Sequence, residues 1–219
     1  MATKSSVSIS VIKRLPRYYR FLGELMKSGC NRISSRELSE KMGLTASQIR
    51  QDLNCFGGFG QQGYGYNVVS LREEIANILG LNNILDTILV GVGNLGKAVA
   101  FHIDFEQRGF RLIGLFDKNP DLIGKPVGNL KIMDTETLTA FCQQNHPKVA
   151  ILCVPKTAAE PLSKTLVQAG VKCFWNFSHY DLTMEYDDVI VENVHLSDSL
   201  MTLGYRVNDS LRTKKSPQS

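Results

Sequence analysis

A glycine-rich segment at positions 91–96 has the residue types and spacing of a phosphate-binding loop. Gly91 permits a tight turn, Gly93 lets the backbone approach a pyrophosphate, and Gly96 allows a helix to pack closely on a strand. A helix that begins here would offer free N–H groups and a partial positive charge to phosphate oxygens. The segment therefore predicts a dinucleotide site formed by Gly91, Val92, Gly93, Asn94, Leu95 and Gly96.

Asp117 stands twenty-one residues after Gly96, at the end of an apolar run, and gives the glycine segment the context that such a motif requires. Its carboxylate would accept hydrogen bonds from an adenosine ribose hydroxyl and repel a 2′-phosphate, which favours NAD(H) over NADP(H). The adjacent Lys118 is a cation that would tolerate a phosphate. A glycine turn without a ligand, or a site for another nucleotide such as coenzyme A, is the alternative.

Two segments that follow later apolar runs are candidates for contact with the nicotinamide. Ligands of open parallel sheets lie outside the carboxyl ends of the strands, which is where these segments would stand. Ordinary loop and packing roles are the alternative. The candidate residues are Val154, Pro155, Asn176, Phe177 and Ser178.

The four histidines form no recognisable catalytic arrangement, although a dehydrogenase needs a proton relay as well as its cofactor. His179 is the most plausible acid or base among them, and a loop role is the simpler interpretation. We therefore expect a cofactor that is bound but takes part in no reaction, with no catalytic residue and no metal site. The alternative function is an NAD-dependent dehydrogenase with a regulatory N-terminal helix-turn-helix domain.

The elements that must position this site form an alternating pattern of strands and helices. Helical periodicity at 134–145 and 157–169 separates the later strands, and such alternation predicts a doubly wound parallel sheet of the Rossmann type. The predicted strands are Thr87–Val90, Arg111–Phe116, Val149–Val154, Lys172–Trp175 and Val189–Val191.

Positive charge is concentrated in the first part of the chain. Residues 1–66 contain ten Lys and Arg against four Asp and Glu, a net charge of +6, whereas residues 67–219 contain fifteen against seventeen, a net charge of −2. A local basic excess of this kind is typical of a part that binds nucleic acid.

The same basic part has the pattern of a winged helix-turn-helix. Ser34 with Glu37 is a capping-box signature for a helix that ends at Gly43, and Thr45 with Gln48 repeats that signature. The glycine-rich stretch 57–66 predicts a hairpin, or wing. Pro16 should begin or kink a helix within 9–28. The predicted core positions are Leu38, Met42, Leu44, Ile49 and Leu53.

The five cysteines include no CxxC pair and are odd in number, so they predict neither a zinc site nor a disulfide framework. No segment resembles a signal peptide or a membrane span. A hydrophobic content of 43% with 21% charged residues is ordinary for a globular protein. We therefore expect a protein of the cytoplasm that has no membrane partner.

Four segments of the chain have a recognisable pattern in this order: RLPRYYRFL (14–22), SxxLxxxxGLTASQIRQDLNCFGGFGQQGYGY (35–66), GVGNLGKA (91–98) and WNF (175–177). Through these segments nearly the whole chain resembles the Rex family of redox-sensing transcriptional repressors. The resemblance implies a homodimer that binds palindromic double-stranded operator DNA. It further implies that NADH releases the dimer from the DNA, whereas NAD+ permits DNA binding. It also implies that the final helix, from Leu196 to Leu211, is swapped into the other subunit.

The resemblance further implies which residues contact DNA. The second helix of the helix-turn-helix would lie in the major groove, with Arg50 suited to a guanine edge. The wing would contact the minor groove or the backbone, and arginines near the N-terminus would contact phosphate or a domain interface. The implied residues are Ser47, Gln48, Arg50 and Gln51 on the helix, Phe59, Gly60, Gln61, Gln62 and Tyr64 on the wing, and Arg14, Arg17 and Arg20.

The sequence departs from the family pattern at several of these positions. The family usually has basic residues where Gln51, Gln61 and Gln62 stand, so we expect weaker and less salt-dependent DNA binding. A tyrosine is common at the position of His102, and an acidic residue at that of His195. Whether these histidines couple ligand to DNA, or only pack, stays open at this point.

These observations predict a division into four parts. Residues 1–80 form the winged-helix DNA-binding domain and residues 81–194 the Rossmann NAD(H)-binding domain. Residues 195–211 form the swapped helix, and residues 212–219 a disordered tail.

Overall fold

The computed structural model describes residues 7–57, 60–61 and 64–215, with the backbone alone at 60, 61 and 213–215. Within these ranges the chain forms two compact units, and the division falls between Asn83 and Ile84. The predicted residues Phe59 and Gln62 lie outside the described ranges, as do residues 216–219.

The first unit is a winged helix, as the sequence predicts. Its strands form an antiparallel sheet in the order β1-β3-β2, in which β2 and β3 are the two strands of the wing. The strands are β1 (Arg32–Ile33), β2 (Gly60–Gln61) and β3 (Gly65–Asn67). The helices are α1 (Ile9–Ile12), α2 (Leu15–Lys27), α3 (Ser35–Met42), α4 (Ala46–Asn54) and α5 (Val68–Ile78).

Local capping interactions fix the two helices of the helix-turn-helix. The side chain of Ser34 accepts a hydrogen bond from the N–H of Glu37, whose carboxylate accepts one from the N–H of Ser34, so the predicted capping box is confirmed. Gly43 ends α3 with a φ of 61°, a left-handed conformation that favours glycine. Thr45 caps α4 by accepting from the N–H of Gln48.

Only one of the two hydrogen bonds of the predicted second capping box forms, because the side chain of Gln48 does not accept from the N–H of Thr45. Its amide donates instead to the carboxylate of Asp52, one turn further along α4. A charged acceptor makes a stronger hydrogen bond than a neutral one, which accounts for this choice.

The core of the first unit consists of the apolar faces of its helices. Leu38, Met42, Ile49 and Leu53 are buried there and Leu44 packs against them, which confirms the predicted core. Pro16 lies in the first turn of α2, where its missing N–H leaves no helical hydrogen bond unmade. The two helices of the helix-turn-helix therefore pack on the hydrophobic core of the first unit.

The second unit is a doubly wound sheet of the predicted class. Its strand order is β10-β9-β8-β4-β5-β7-β6, with parallel pairs except between β6 and β7. The strands are β4 (Leu85–Val90), β5 (Phe110–Asp117), β6 (Pro126–Val127), β7 (Leu130–Asp134), β8 (Val149–Leu152), β9 (Cys173–Asn176) and β10 (Ile190–Asn193). The helices are α6 (Asn94–His102), α7 (Leu138–Asn145), α8 (Lys156–Gln168) and α9 (Leu196–Lys215).

The order of the strands reverses between β4 and β8. From β4 the chain runs outwards through β5 to β7, and it then returns to β8 and runs the other way to β10. Side chains alternate across β4, where Ile88 and Val90 enter one apolar cluster and Leu89 enters another on the opposite face. A sheet buried on both faces leaves its ligand site at the carboxyl ends of the strands, beside this reversal.

Several elements differ from the sequence prediction. The strands β1, β6 and β7 and the helix α5 were not predicted, and β8 ends at Leu152 rather than at Val154. The β6–β7 hairpin was missed because charged Lys131 interrupts a short run of apolar residues. Cys153 and Val154, which follow β8, lie beside Gly91.

The last helix, α9, extends past its predicted end at Leu211 to Lys215, so the predicted tail is helical at its start. Arg212, in the last turn of this helix, suits the partial negative charge of a helix C-terminus. Among the described residues, no helix combines the length and the hydropathy that are needed to cross a membrane.

Candidate functional site

The glycine loop adopts the backbone that the sequence predicts. Gly91 has a φ of 94°, and a Cβ there would lie 2.5 Å from the carbonyl oxygen of Cys153. A Cβ at Gly96 would overlap the carbonyl oxygen of Gly91, whereas a Cβ at Gly93 would meet no atom within 4 Å. The first and third glycines therefore permit close packing of the chain, and the second leaves open space at the start of α6.

The start of α6 is exposed where a phosphate would approach it. Gly93, Asn94 and Leu95 are exposed, while Val92 and Gly96 on either side are buried. The first N–H groups of a helix have no carbonyl partner within it, and they attract anions. The loop can therefore bind a pyrophosphate through its backbone.

Asp117 is bonded directly to the glycine loop. Its Oδ2 accepts a hydrogen bond from the N–H of Val92 at 2.6 Å, and its Oδ1 accepts one from the N–H of Asn119 at 2.9 Å. Each carboxylate oxygen keeps a lone pair for a ligand. The acidic group is thus held beside the loop, at the end of β5, where an adenosine ribose would lie.

A cavity of about 530 Å³ opens at the carboxyl ends of the central strands. Its volume is in the usual range for a small-molecule site. It brings together six of the predicted residues, which are Gly91, Gly93, Asp117, Lys118, Val154 and Pro155. It also contains residues that sequence reasoning missed, namely Val90, Thr135, Cys153, Thr157, Ala158, Pro161, Leu162 and Thr165.

Most of the missed residues lie on α8, which follows the Val154-Pro155 turn. Pro161 and Leu162 add apolar side chains to the lining of the cavity, which an adenine ring would require. Thr135 follows β7, so it could be placed only once that strand was known. Burial raises the pKa of the Cys153 thiol to about 12, so this cysteine is not a thiolate nucleophile at neutral pH.

The predicted residues Asn176 and Ser178 are buried and bonded to one another. The Asn176 oxygen accepts from the N–H and the hydroxyl of Ser178, and its amide donates to the Tyr180 carbonyl and to Asn193. Phe177 packs edge-on against Trp175, with 4.7 Å between ring centroids. These contacts shape the loop after β9 and leave no hydrogen of the Asn176 amide for a ligand.

The two histidines nearest α9 pack against each other. The rings of His179 and His195 have centroids 5.1 Å apart, and Nδ1 of His195 lies 3.5 Å from the carboxylate of Asp198. His102 packs edge-on against Phe101 at the end of α6. Within the described ranges, no three His, Cys, Asp or Glu side chains converge as metal ligands would.

The second helix of the helix-turn-helix, α4, presents an exposed polar face. Ser47, Arg50 and Gln51 are exposed along it, and Arg50 donates to the hydroxyl of Ser35 at 3.0 Å. Tyr64 on the wing is 69% exposed, and its carbonyl accepts from Arg32. Three predicted DNA contacts and the wing tyrosine are therefore free to meet a partner.

The predicted contacts Arg14, Arg17 and Gln48 also have roles inside the unit. Arg14 and Gln48 both donate to Asp52, and Arg17 donates to the carbonyl of Met42 at the end of α3. Arg20 is exposed. Of the wing residues Gly60 and Gln61, only the backbone in β2 is described.

Comparison with known proteins agrees with this division of the chain. Residues 6–54 match a family model described as a putative DNA-binding protein N-terminus, and residues 82–180 match one described as a CoA binding domain. The redox-sensing transcriptional repressor Rex of Thermoanaerobacter pseudethanolicus is 55% identical over 215 residues, which cover 98% of this chain and 96% of that protein. The chain belongs to the Rex family.

Other Rex proteins are similarly close. The repressor of Clostridium perfringens is 51% identical over 95% of this chain and 98% of its own length. Two solved Rex-family structures, of a repressor called RSP, each superpose with a TM-score of 0.87 and cover 96% of this chain. One is a complex with β-NAD+ and operator DNA, at 55% identity and 97% coverage of that chain. The other is a complex with β-NADH, at 52% identity and 99% coverage.

The different surroundings of Gly93 and Gly96 generate a prediction for this Rex-family chain. Gly96→Ala should destabilise the second unit by ~1–3 kcal/mol or more, because its Cβ has no room. Gly93→Ala should leave the stability unchanged and weaken dinucleotide binding at least tenfold, about 1.4 kcal/mol, because its methyl occupies the space of the pyrophosphate. Denaturant unfolding and NADH fluorescence titration measure the two effects. Normal NADH affinity in Gly93→Ala would contradict this assignment of the loop.

Proposed function

We propose that this protein is a transcriptional repressor that binds operator DNA as a homodimer and is released when NADH binds its Rossmann unit. NAD+ permits DNA binding. The proposal rests on the combination of two units in one chain. The first is a winged helix whose helix α4 has an exposed polar face, and the second contains a glycine loop to which Asp117 is hydrogen-bonded, as in a dinucleotide site. Relatives of 50–55% identity are named repressors, and one of them was crystallised with NADH and, separately, with NAD+ and operator DNA.

The chemistry of the cavity favours NAD(H) over the other nucleotides considered. The Asp117 carboxylate beside the ribose position would repel the 2′-phosphate of NADP(H). It would likewise repel the 3′-phosphate of coenzyme A, although the matching family model is named for that ligand. An unphosphorylated ribose has only hydroxyl donors, which suit the lone pairs that remain on this carboxylate.

In the DNA complex that we propose, α4 enters the major groove. Arg50 is exposed there and has the donors to contact O6 and N7 of a guanine together. The wing contacts the minor groove or the backbone, and the N-terminal arginines contact phosphate. Because Gln51, Gln61 and Gln62 are uncharged, fewer counterions are released and the salt dependence is modest. Such a repressor acts in the cytoplasm.

We also propose the functional limits of the parts. The DNA-binding domain comprises residues 1–80 and the NAD(H)-binding domain residues 81–194. Residues 195–211, which include α9 from Leu196 to Leu211, are the swapped segment.

The swapped segment is proposed from an apolar surface that has no cover within the described chain. Seven apolar side chains of α9 are 49–70% exposed, at Leu196, Leu200, Met201, Leu203, Tyr205, Val207 and Leu211. Four of them, Leu196, Leu200, Leu203 and Val207, follow helical spacing and form one stripe. A contiguous apolar patch of this kind is typical of an interface. We assign it to a second copy of this chain.

A second apolar surface on the same unit supports a homodimer. A cavity of about 480 Å³ lies against β4, β8, β9 and β10, and most of its side chains are apolar. Trp175, Phe105 and Ile190 contribute to it, and Ile190 is 72% exposed. Two such surfaces on each subunit suit a symmetric dimer, because the two-fold axis buries the same pair of surfaces in both subunits.

The sensor function is tested by titrating NADH and NAD+ against a complex with a duplex that the wild-type chain has selected from a random library. NADH should weaken DNA binding by about 5- to 150-fold, the usual range of allosteric coupling, and NAD+ should not. Fluorescence anisotropy of the duplex at fixed salt measures this.

Gly93→Ala is the matched control for that titration. It should bind the same duplex with unchanged affinity but need at least tenfold more NADH for the same loss of DNA binding. If the DNA affinity of the wild-type chain stays unchanged while NADH is shown to be bound, the proposed sensor function is ruled out.

The dimer is tested on α9 with Leu200→Arg and, as a control on the opposite face of the helix, Thr202→Arg. The charge at Leu200 should weaken the dimer by ~3–5 kcal/mol, because an unpaired charge would be buried in the interface. Sedimentation over a range of concentrations should give monomer for Leu200→Arg and dimer for Thr202→Arg. A dimer of unchanged strength in both variants would place the interface elsewhere.

A further inference from the structure

A buried carboxylate, Asp52, joins the DNA-reading helix α4 to the start of α2. The residue is 1% exposed. Its Oδ2 accepts from Nε of Arg14 at 2.6 Å and from the hydroxyl of Tyr18 at 3.0 Å. Its Oδ1 accepts from Nη2 of Arg14 at 2.7 Å and from Nε2 of Gln48 at 2.9 Å. All four bonds converge on one side chain of the helix that is expected to contact bases.

The carboxylate is ionised at neutral pH. Burial by itself would raise the pKa of Asp52, but the hydrogen bonds from Arg14, Gln48 and Tyr18 outweigh it and lower the pKa below its ordinary value. Burial, followed by the hydrogen bond to Asp52, raises the pKa of Tyr18, so the phenol keeps its proton and donates. Asp52 is therefore an acceptor with no proton to donate.

An acceptor of this kind fixes the orientation of the Gln48 amide. Only the nitrogen of that amide can donate to Asp52, so the amide oxygen must face away from the carboxylate. The oxygen and the second N–H of Gln48 remain for a ligand. Gln48 lies in the first turn of α4 and is half-buried, beside exposed Ser47.

An amide with one oxygen and one N–H free matches the major-groove edge of adenine. Adenine N6 donates to the amide oxygen, and adenine N7 accepts from the amide N–H. A freely rotating amide presents this pair in either order, and only one order fits adenine. Holding the nitrogen side against Asp52 selects the order in advance.

We propose that Asp52 is a positioning residue for sequence recognition, which holds the Gln48 amide so that this side chain selects adenine in the major groove. The inference rests on the proposed function, since it requires that α4 enters the groove. Arg14 completes the arrangement by neutralising the carboxylate, and its own three remaining N–H groups are available to the DNA backbone.

A purely structural role for Asp52 gives a different expectation. A buried ion pair that only braces the fold would, when it is lost, lower the stability and weaken binding to every DNA sequence alike. A positioning role changes the base preference at one position of each half-site. Base preference is therefore the measurement that separates the two roles.

The test uses the full-length chain and a duplex library with a randomised central segment, sequenced after selection. Gln48→Met, which removes the amide and leaves the Arg14–Asp52–Tyr18 bonds, identifies the adenine that Gln48 contacts. Asp52→Asn keeps the shape of Asp52, but its own amide can accept or donate, so Gln48 is free to turn over. In Gln48→Met the preference for that adenine should fall by about 5- to 150-fold, because the bidentate contact is lost. In Asp52→Asn it should fall by a smaller factor, about two or more, because an amide that can turn over still spends part of its time in the order that fits adenine.

Two controls accompany the test. Glu24→Gln removes one negative charge from an exposed position of α2 and should leave the base profile unchanged. If Asp52→Asn does not fold, as judged by circular dichroism, the variant Arg14→Met/Tyr18→Phe/Asp52→Leu replaces the buried polar group with apolar side chains, a change that is often tolerated. It should show the same reduced preference for that adenine as Asp52→Asn.

Three outcomes would overturn the inference. They are an unchanged profile in Gln48→Met, an undiminished adenine preference in a folded variant without the Asp52 carboxylate, and a wild-type profile without adenine at any position sensitive to Gln48. Failure of the proposed function looks different, because the wild-type chain would then select no sequence at all.

Discussion

The backbones at Gly91 and Gly96 approach so closely that a side chain at Gly96 would overlap the carbonyl oxygen of Gly91. This contact holds the start of α6 against the end of β4, while Asp117 is bonded to Val92 in the same loop. The adenosine and pyrophosphate positions are therefore rigid and equally suited to both oxidation states of the cofactor. Discrimination between NAD+ and NADH must arise at the nicotinamide, and a ligand shifts a conformational equilibrium only by its difference in affinity for the two states.

The winged-helix unit is rigid for a comparable reason. The helix α4, which we propose to read DNA, is capped by Thr45, packed through Ile49 and Leu53, and bonded to α2 through Asp52. In the proposed dimer, a switch that bends neither unit acts on the arrangement of the two subunits. The apolar stripe of α9, which we assign to the interface with a second subunit, is the surface on which that arrangement would depend.

The sequence predicted those features that local chemistry determines, such as the roles of Gly91 and Gly96, the Ser34 cap and the central strands with their continuous apolar runs. It missed β7, where Lys131 interrupts a short run. It missed α5 as well, although Val68, Leu71 and Ile75 recur at helical spacing. The partners of Asn176 and Gln48 lay beyond prediction, because Asn193 and Arg14 are distant in sequence and meet these networks only through tertiary packing.

The central claim is that the oxidation state of the cofactor determines the separation of the two DNA-reading helices in a dimer. Cys55 is exposed at the end of α4 and can be modified with a spin label. The other four cysteines are buried or half-buried and should react less readily. Pulsed electron paramagnetic resonance should give a separation that suits successive major grooves, spaced by turns of about 34–36 Å, with NAD+ and operator DNA. With NADH it should give a distinct separation that does not fit them. Identical distance distributions at saturating NAD+ and NADH would contradict the account.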